Sequence, residues 1–259
     1  MSKRSMRKAI KTIIVFVLIG FSVYFGYLTC VEVKPLIVSD ARKKAVKEIA
    51  VEEVKGEKEN DPYMRCIDFD ALKKINSDII GWLYIPETSI DYPILKGESD
   101  TEYLSKDVDG QYNPLGTIFT YADASETLTD ARTILFAHNM LQYQMFGELK
   151  RYLDKDFRGK HEKIYIYTEK KTMVLQVFSV FTCLDSEKVF GHKMELSTDR
   201  YKDMLIELNK RNQCSDLKTA IDAGKQTYSL VTCYGGYQTS ERLMVNAMAI
   251  REKYLLESK

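Results

Sequence analysis

The apolar and polar positions of the chain follow three patterns in turn, and the first is a long apolar run near the N-terminus. Residues 12–31, TIIVFVLIGFSVYFGYLTCV, hold twenty positions without a charge, the length a helix needs to cross about 30 Å of hydrocarbon. The run exceeds the roughly 7–15 apolar residues of a signal peptide, and no small-residue cleavage site closes it. We therefore predict an uncleaved transmembrane anchor rather than a cleaved signal peptide.

The charges that flank this segment predict its orientation, because a basic flank normally stays in the cytoplasm. The basic residues that precede it are Lys3, Arg4, Arg7, Lys8 and Lys11. We predict a single-pass protein of the cell membrane, with a cytoplasmic tail at 1–11 and the bulk of the chain extracellular. Basic residues also follow the segment, among them Lys34 and Arg42, and they weaken this prediction.

The second pattern is amphipathic and covers the residues after the anchor. Apolar residues recur at helical spacing from 46 to 54 among many lysines and glutamates, which predicts a stalk helix. Residues 56–62, GEKENDP, are then polar and rich in helix breakers. These changes predict a stalk helix and linker at 32–62 and a folded domain at 63–259.

The third pattern, an alternation with period 2, dominates after one short helix, which is predicted before Gly81 from Phe69, Leu72 and Ile75, with Ile79 beyond. Strands are predicted at 89–95 (SIDYPIL), 163–167 (KIYIY) and 173–183, which are rich in β-branched and aromatic residues. Helices do not alternate regularly with these strands, so a closed barrel or a sandwich is favoured over a parallel α/β sheet.

One helix interrupts the late strands. Within residues 197–212, STDRYKDMLIELNKRN, apolar positions recur at i, i+3, i+4 and i+7 from Tyr201. Ser197 or Thr198 is available as its N-cap. We interpret this helix as a cover for part of the core.

Composition and charge exclude some classes of function. The chain has 259 residues, 45% hydrophobic and 29% charged, an ordinary composition for a globular domain. Its 38 basic and 37 acidic residues nearly cancel, so no overall field would draw the protein to nucleic acid. The five cysteines form no C-x-x-C pair, which disfavours a zinc ribbon or a thioredoxin-type site.

Three apolar segments each carry a reactive side chain at or near one end of a predicted strand. They are TILFAHNM with His138, YSLVTCYGG with Cys233 and SERLMVNAMAI with Arg242. A thiol needs a nearby base or cation to become a nucleophile, and histidine is the usual partner. Spacing alone leaves this pairing one of several, since the chain holds three histidines and five cysteines.

The other histidines and cysteines receive structural interpretations. His161 in RGKHEK and His192 in FGHKME lie in polar contexts typical of solvated surface residues. Cys183 lies within an apolar run and is predicted to be part of the core. Cys66 and Cys214 lie beside polar segments and are interpreted as incidental, and nothing in the sequence supports a disulfide between them.

The three reactive segments occur in the order found in sortases, and each resembles a motif of that family. Residues 229–233 (SLVTC) resemble the TLxTC strand, AHNM resembles the G-H-N-M histidine motif, and ERLMVNAMAI resembles the strand that contributes the family's arginine. The blocks INSDIIGWLYIPETSIDYPIL, YLSKD and GTIF, together with the late helix, are similar to class B sortases. The resemblance spans residues 66–251.

Three positions depart from the family's motifs. Ser229 stands where threonine opens the TLxTC pattern, and Ala137 stands where glycine commonly precedes the histidine. The first change keeps a hydroxyl and the second is a small step, so neither alters the implied chemistry. Val231 occupies a position often filled by serine in class B, and the missing hydroxyl is expected to alter substrate contacts.

The resemblance implies a mainly β fold, a sortase-like eight-stranded β-barrel with an N-terminal helix and a long helix between strands 6 and 7, preceded by the transmembrane helix. It implies a cysteine transpeptidase that cleaves the C-terminal sorting signal of a secreted protein after its Thr residue, through a thioacyl intermediate. An amine of a peptidoglycan precursor then resolves the intermediate and joins the protein to the cell wall. No metal or organic cofactor is implied.

In this resemblance Cys233 is the nucleophile and His138 is the general acid and base. Arg242 stabilises the substrate or the developing oxyanion, because a guanidinium stays protonated and cannot act as a base. The backbone amide of Tyr234, directly after the nucleophile, is expected to be a second oxyanion donor.

Alternatives remain open at this point. A thiol hydrolase would pass the acyl group to water instead of an amine, and nothing in the sequence distinguishes the two acceptors. A sortase that polymerises pilins would use the same residues. A membrane-tethered binding module with a vestigial site is disfavoured, because Cys, His and Arg occur together.

Overall fold

The computed structural model describes residues 3–52, 61–140, 144–235 and 239–255. The chain divides into two compact units, Met1–Arg42 and Lys43–Lys259. Helix α1, Lys3–Ala50, contributes residues to both units.

The apolar part of helix α1, Lys11–Val31, is long and apolar enough to span a membrane. The predicted anchor at 12–31 falls within this stretch, so the helix is a possible membrane anchor, and its orientation stays a prediction. Most of the predicted linker at 56–62 lies outside the described residues.

Within the described ranges, eight strands close into one barrel, and the predicted eight-stranded, mainly β fold is thereby confirmed. The strands are β1 Ile79–Tyr84, β2 Asp91–Leu95, β3 Ile118–Thr120, β4 Arg132–Phe136, β5 Lys163–Tyr167, β6 Lys171–Leu184, β7 Thr227–Cys233 and β8 Glu241–Tyr254. Their order around the barrel is β1-β2-β3-β4-β7-β8-β6-β5.

Two of the strand pairs in this barrel are parallel, β2 with β3 and β4 with β7, and the other pairs are antiparallel. The pairing of β4 with β7 joins segments nearly a hundred residues apart. It brings the ends of two of the predicted reactive segments to the same edge of the barrel.

The remaining elements are short and lie in the connections. The α-helices are α2 Phe69–Ile75, α3 Lys155–Lys160 and α4 Asp199–Lys210. The 3₁₀ segments are Pro62–Met64, Glu102–Leu104, Gly147–Leu153 and Lys188–Phe190, and the two-residue strands Val51–Glu52 and Cys66–Ile67 pair with each other.

Helix α4 lies between the sixth and seventh strands, where the late helix was predicted. Thr198 is its N-cap, and the Thr198 side chain accepts a hydrogen bond from the backbone N–H of Tyr201. The buried face of α4 packs with strand residues of β6 and β7, among them Phe181 and Val231. The predicted role as a cover for the core is confirmed.

Strand β2 carries a buried carboxylate that joins distant parts of the barrel unit. Asp91 is 5% exposed, and its Oδ1 accepts hydrogen bonds from Trp82 Nε1 at 2.6 Å and Arg65 Nη1 at 2.9 Å. Its Oδ2 accepts from Arg65 Nη2 at 3.0 Å and Lys47 Nζ at 2.6 Å. Burial alone would raise the pKa of Asp91, but Arg65, Lys47 and Trp82 together hold the pKa below its usual value.

The last two turns of helix α1 pack on the barrel. Val46 and Ala50 are 5% and 0% exposed and join a core cluster that contains Trp82, whereas Ile49 points to solvent. Lys43 Nζ donates to the carbonyl of Ser89 at 2.8 Å. The apolar positions that predicted a stalk helix therefore form a helix face that is buried against the folded unit. The predicted domain limit at residue 62 stays a prediction.

We expect a chain that begins at Asp61 to unfold at lower urea concentration than one that begins at Lys43. Burial of a valine side chain contributes roughly 1.5–3 kcal/mol, so the loss of Val46, Ala50 and Lys47 should cost at least about 2 kcal/mol. A third chain, Lys43 onward with Val46→Ala, serves as the intermediate control. Equal unfolding midpoints for all three would show that these helical turns do not stabilise the barrel.

Candidate active site

The parallel pairing of β4 and β7 positions His138 and Cys233. Phe136, the last residue of β4, is in register with Val231, and the backbone N–H of Ala137 donates to the carbonyl of Val231 at 3.3 Å. Cys233 is the last residue of β7, and His138 follows β4 by two residues. The two predicted reactive groups therefore leave neighbouring strands at the same end.

Two side-chain hydrogen bonds continue the pairing beyond the strands. Thr232 Oγ1 donates to the carbonyl of Ala137 at 2.9 Å, and Asn139 Nδ2 donates to the carbonyl of Cys233 at 2.9 Å. These bonds fix the histidine segment against the cysteine segment. Sequence reasoning assigned no role to Thr232 or Asn139, although a hydroxyl before the cysteine and an amide after the histidine were visible in the motifs.

Arg242 lies on β8 between two cysteines. It is the antiparallel partner of Cys233 on one side and of Cys183 on the other. Directly opposed residues share one face of a sheet, with Cβ atoms about 4.5–5.5 Å apart. The three predicted catalytic residues are thus brought together by strand register.

The Arg242 guanidinium is held by three described acceptors. Its Nη2 donates to Asp185 Oδ2 at 2.8 Å, and its Nη1 donates to the carbonyls of Thr239 at 2.6 Å and Glu241 at 2.9 Å. A guanidinium carries about five N–H donors, so donors remain that these acceptors do not use. Asp185 was missed by the sequence analysis because it is separated from Arg242 by 57 residues.

The backbone amide of Tyr234 is not available as an oxyanion donor in this structure. Its N–H donates to the carbonyl of Glu241 at 2.9 Å, as part of the pairing between β7 and β8. The strand ladder thus extends past the nucleophile, and a role for this amide in stabilising an oxyanion stays a prediction. Arg242 is left as the predicted donor that faces the same cavity as Cys233.

The cavity holds about 310 Å³ and takes in all three predicted catalytic residues. Its lining combines aromatic and aliphatic side chains with a few polar groups: Asp100, Leu104, Phe119, Tyr121, Phe136, Ala137, His138, Asp185, Phe190, Val231, Thr232, Cys233 and Arg242. Val231 lies in this lining, where serine is common in the related motif. A largely apolar lining with a few polar groups is the usual composition of a ligand-binding pocket.

One wall of the cavity joins two loops through aromatic contacts. Tyr121 meets the ring of Phe136 edge-on at 4.9 Å and stacks on the ring of His192 at 4.1 Å. His192 Nε2 lies 2.9 Å from Asp123 Oδ1. Burial alone would raise the pKa of Asp123, but His192 and Lys193 lower it.

Both remaining histidines were interpreted as solvated surface residues, and the structure corrects this interpretation. His192 is only partly exposed, since it supports the cavity wall. His161 is 7% exposed, with its ring 4.1 Å from that of Phe157 and Nδ1 3.0 Å from the carbonyl of Pro86. Polar neighbours in sequence did not predict exposure because α3 and the turn after β1 cover the ring.

Arg132 anchors the loop that places Phe190 in the cavity lining. It is 1% exposed, and its Nη1 donates to the carbonyls of Val189 at 2.6 Å and Gly191 at 2.7 Å. Its Nη2 donates to Ser229 Oγ at 3.1 Å, so the hydroxyl kept at 229 has a defined partner. Burial lowers the pKa of Arg132 to about 10, so the guanidinium stays charged at neutral pH.

All five cysteines lie in the described ranges and are free thiols. Cys183 is buried, as predicted for a core residue, and burial raises its pKa to about 11. Cys214 is buried and Cys66 is exposed. Across the described ranges, no group of three or more His, Cys, Asp or Glu side chains is placed to hold a metal ion.

A barrel with a cysteine, a histidine and an arginine in one cavity defines a thiol-based enzyme class, and comparison with known proteins assigns the family. A model of the Sortase domain matches residues 83–250. The chain belongs to the sortase family, the cysteine transpeptidases of the cell envelope, and within it to class B.

Sortase B proteins of several organisms are similar to this chain. Staphylococcus aureus sortase B is 30% identical over 184 residues, 71% of this chain and 75% of that protein. A structure of a Staphylococcus aureus sortase B–substrate complex matches with a TM-score of 0.64 and 29% identity, over 71% of this chain and 84% of that one. Sortase B from Bacillus anthracis in complex with AAEK1 matches with a TM-score of 0.70 and 26% identity, over 84% and 99%.

Proposed function

We propose that this protein cleaves the C-terminal sorting signal of secreted proteins after a Thr residue and joins them to an amine of the cell-wall peptidoglycan. The observation that carries the proposal is the shared cavity of Cys233, His138 and Arg242. The substrate complex of the related Staphylococcus aureus enzyme supports it. Secreted substrates require the barrel to lie outside the cell, which agrees with the basic flank before the anchor.

The first half of the reaction forms a thioacyl enzyme. Cys233 Sγ gives its proton to His138 and bonds to the threonine carbonyl carbon. The peptide C–N bond then breaks, and His138 returns the proton to the leaving amine. The segment that follows the threonine leaves, and the secreted protein stays attached to Cys233 through a C–S bond.

The second half transfers the acyl group to the acceptor. The peptidoglycan amine loses a proton to His138, and its nitrogen bonds to the carbonyl carbon. The C–S bond breaks, and Cys233 takes the proton back from His138. Arg242 donates hydrogen bonds to the substrate carbonyl or to the oxyanion that forms in each half.

The test is product identification with the full chain in detergent. The protein is incubated with quenched sorting-signal peptides, with and without triglycine as the acceptor amine, and the product masses are measured by mass spectrometry. A thioacyl adduct mapped to Cys233 and a ligated product support the proposal. Cleavage with no ligation to any amine would identify a hydrolase. Ligation to a lysine of a second substrate protein would identify a pilin polymerase. Absence of the thioacyl adduct would identify an inactive binding module.

Replacement of Arg242 by lysine should lower kcat by about 10²–10³-fold, because a single ammonium cannot reproduce the oriented guanidinium donors. Asp185→Asn should lower kcat by about tenfold with a smaller change in KM, since the hydrogen bond from Arg242 to this carboxylate orients the guanidinium. Steady-state cleavage of one quenched peptide measures both. Unchanged kcat in Asp185→Asn would show that the carboxylate does not position the guanidinium.

A further inference from the structure

His138 makes a hydrogen bond that restricts where its proton can lie. Its Nε2 is 2.8 Å from the carbonyl oxygen of Leu104, at the end of the 3₁₀ segment Glu102–Leu104. A carbonyl oxygen only accepts hydrogen bonds, so Nε2 must carry a hydrogen. In the neutral ring Nδ1 is then the atom with a free lone pair.

We propose that the Leu104 carbonyl, held in place by close contact with Gly116, fixes the tautomer and orientation of His138, so that Nδ1 is the atom that exchanges protons with thiol and amine. The proposal rests on the proposed function of His138 and names the atom and the supporting loop. It makes Gly116 a positioning residue, since Gly116 touches neither substrate nor reacting atoms.

The loop that presents this carbonyl is rigidly attached to the start of the barrel. Tyr103 is 2% exposed, and its hydroxyl donates to Asp78 Oδ2 at 2.6 Å and accepts from Asn76 Nδ2 at 2.9 Å. The carbonyl of Tyr103 accepts from the backbone N–H of Thr117 at 3.0 Å. The residue directly before Leu104 is thus fixed on both its side chain and its backbone.

Gly116 closes the loop against the Leu104 carbonyl. Its φ of +59° lies in the left-handed region, which a residue with a Cβ adopts at a cost. A Cβ at this position would lie 2.6 Å from the Tyr103 oxygen and 2.7 Å from the Leu104 oxygen, both of them backbone atoms. Any side chain at 116 must therefore displace the carbonyl that accepts from His138.

The carbonyl acts on both protonation states of the ring. It can accept a hydrogen bond from Nε2–H both in the neutral Nε2–H tautomer and in the imidazolium, whereas the Nδ1–H tautomer would turn a lone pair towards it. The ring can therefore gain and lose a proton at Nδ1 while Nε2–H stays bound to Leu104. Proton transfer in both halves of the reaction then requires no ring flip.

Gly110 offers a matched control in the same loop. Its φ is +77°, so an alanine there meets the same kind of backbone strain, yet a Cβ would find no atom within 4 Å. Comparison of Gly116→Ala with Gly110→Ala therefore separates displacement of the Leu104 carbonyl from the general effect of strain in the loop.

The test reads the tautomer directly by ¹⁵N NMR of the full chain in detergent micelles with ¹⁵N-labelled histidine. The chain has only three histidines, and His138→Gln assigns the relevant signals. We expect the Nε2–H tautomer in wild type and in Gly110→Ala, and a mixture of tautomers in Gly116→Ala. Turnover of a quenched peptide should fall by about 10²-fold in Gly116→Ala and stay near wild type in Gly110→Ala.

The His161 and His192 signals report whether each variant keeps its fold. If Gly116→Ala loses them, Tyr103→Phe replaces it, because loss of the hydroxyl bonds loosens the same carbonyl. An Nδ1–H tautomer in wild type, or equal behaviour of Gly116→Ala and Gly110→Ala, would overturn the proposal. A shifted tautomer with unchanged turnover would support the fixed tautomer and refute the proton-transfer role given to His138 under the proposed function.

Discussion

The Cys233→Ala variant should lose cleavage of sorting-signal peptides by at least about 10³-fold, because loss of the nucleophile in comparable triads removes 10³-fold or more of the rate. Cys233 is the last residue of β7, which pairs with the strand of Arg242 and with the strand that precedes His138. Burial raises the pKa of the Cys183 thiol to about 11. No other described cysteine lines the cavity. Fluorescence of a quenched peptide, with product masses, measures the loss.

Cys183→Ala is the matched control for this variant. Cys183 opposes Arg242 from the other side and has the same side chain, but it is buried and does not line the cavity. We expect Cys183→Ala to keep most of the activity and to form the thioacyl adduct. If activity survives in Cys233→Ala and disappears in Cys183→Ala, the nucleophile is Cys183 and not Cys233.

The Asp91→Ala variant should lower the free energy of unfolding by about 3–5 kcal/mol, the usual effect of removing one partner from a buried ion pair. The reason is that Arg65, with only 12% of its side chain exposed, would be left without its carboxylate, and the Trp82 N–H would lose its acceptor. Asp91→Asn keeps one acceptor oxygen and should lose less. Urea unfolding followed by the single tryptophan measures both variants.

The same carboxylate predicts how stability depends on pH. The pKa of Asp91 is lower in the folded protein than its usual value of about 3.9, so its stabilisation is present above that pH and is lost as the pH falls through the folded pKa. The difference in stability between wild type and Asp91→Asn should therefore shrink below about pH 4.

Asp123→Asn is a suitable comparison for this pH dependence. The pKa of Asp123 is also lowered, through His192 and Lys193, but 57% of its side chain is exposed and solvent screens the interaction. Its removal should change stability little at any pH. A difference for Asp91→Asn that stays constant down to pH 2 would show that ionisation of Asp91 does not stabilise the fold.

The periodicity of apolar residues in the sequence predicted individual strands and the late helix. The period-2 segments became barrel strands, and the 3.6-residue periodicity after Tyr201 became α4, because each has one apolar face to bury. The motifs also placed His138, Cys233 and Arg242 at strand ends. The structure brings them into one cavity through strand register. The order of the motifs along the chain indicated this grouping, but the number of residues between them did not.

Contacts between distant polar groups could not be predicted in the same way. Arg132 lies 57 residues from its acceptor on Val189, and Asp185 lies 57 residues from Arg242. Nothing near such residues in sequence shows that a partner exists. The error on His161 has the same origin, since burial by α3 and a bond to Pro86 depend on the finished fold.

The antiparallel pairing of Arg242 with Cys233 also bears on how substrate preference can change. The two side chains keep their spacing through the ladder of β7 and β8, and a slip of one residue would turn one of them to the other face of the barrel. The loop after β6, with Phe190 in the cavity lining, is not part of that ladder. We therefore expect exchange of this loop between related enzymes to change peptide preference while Cys233 and Arg242 keep the spacing that the strands set.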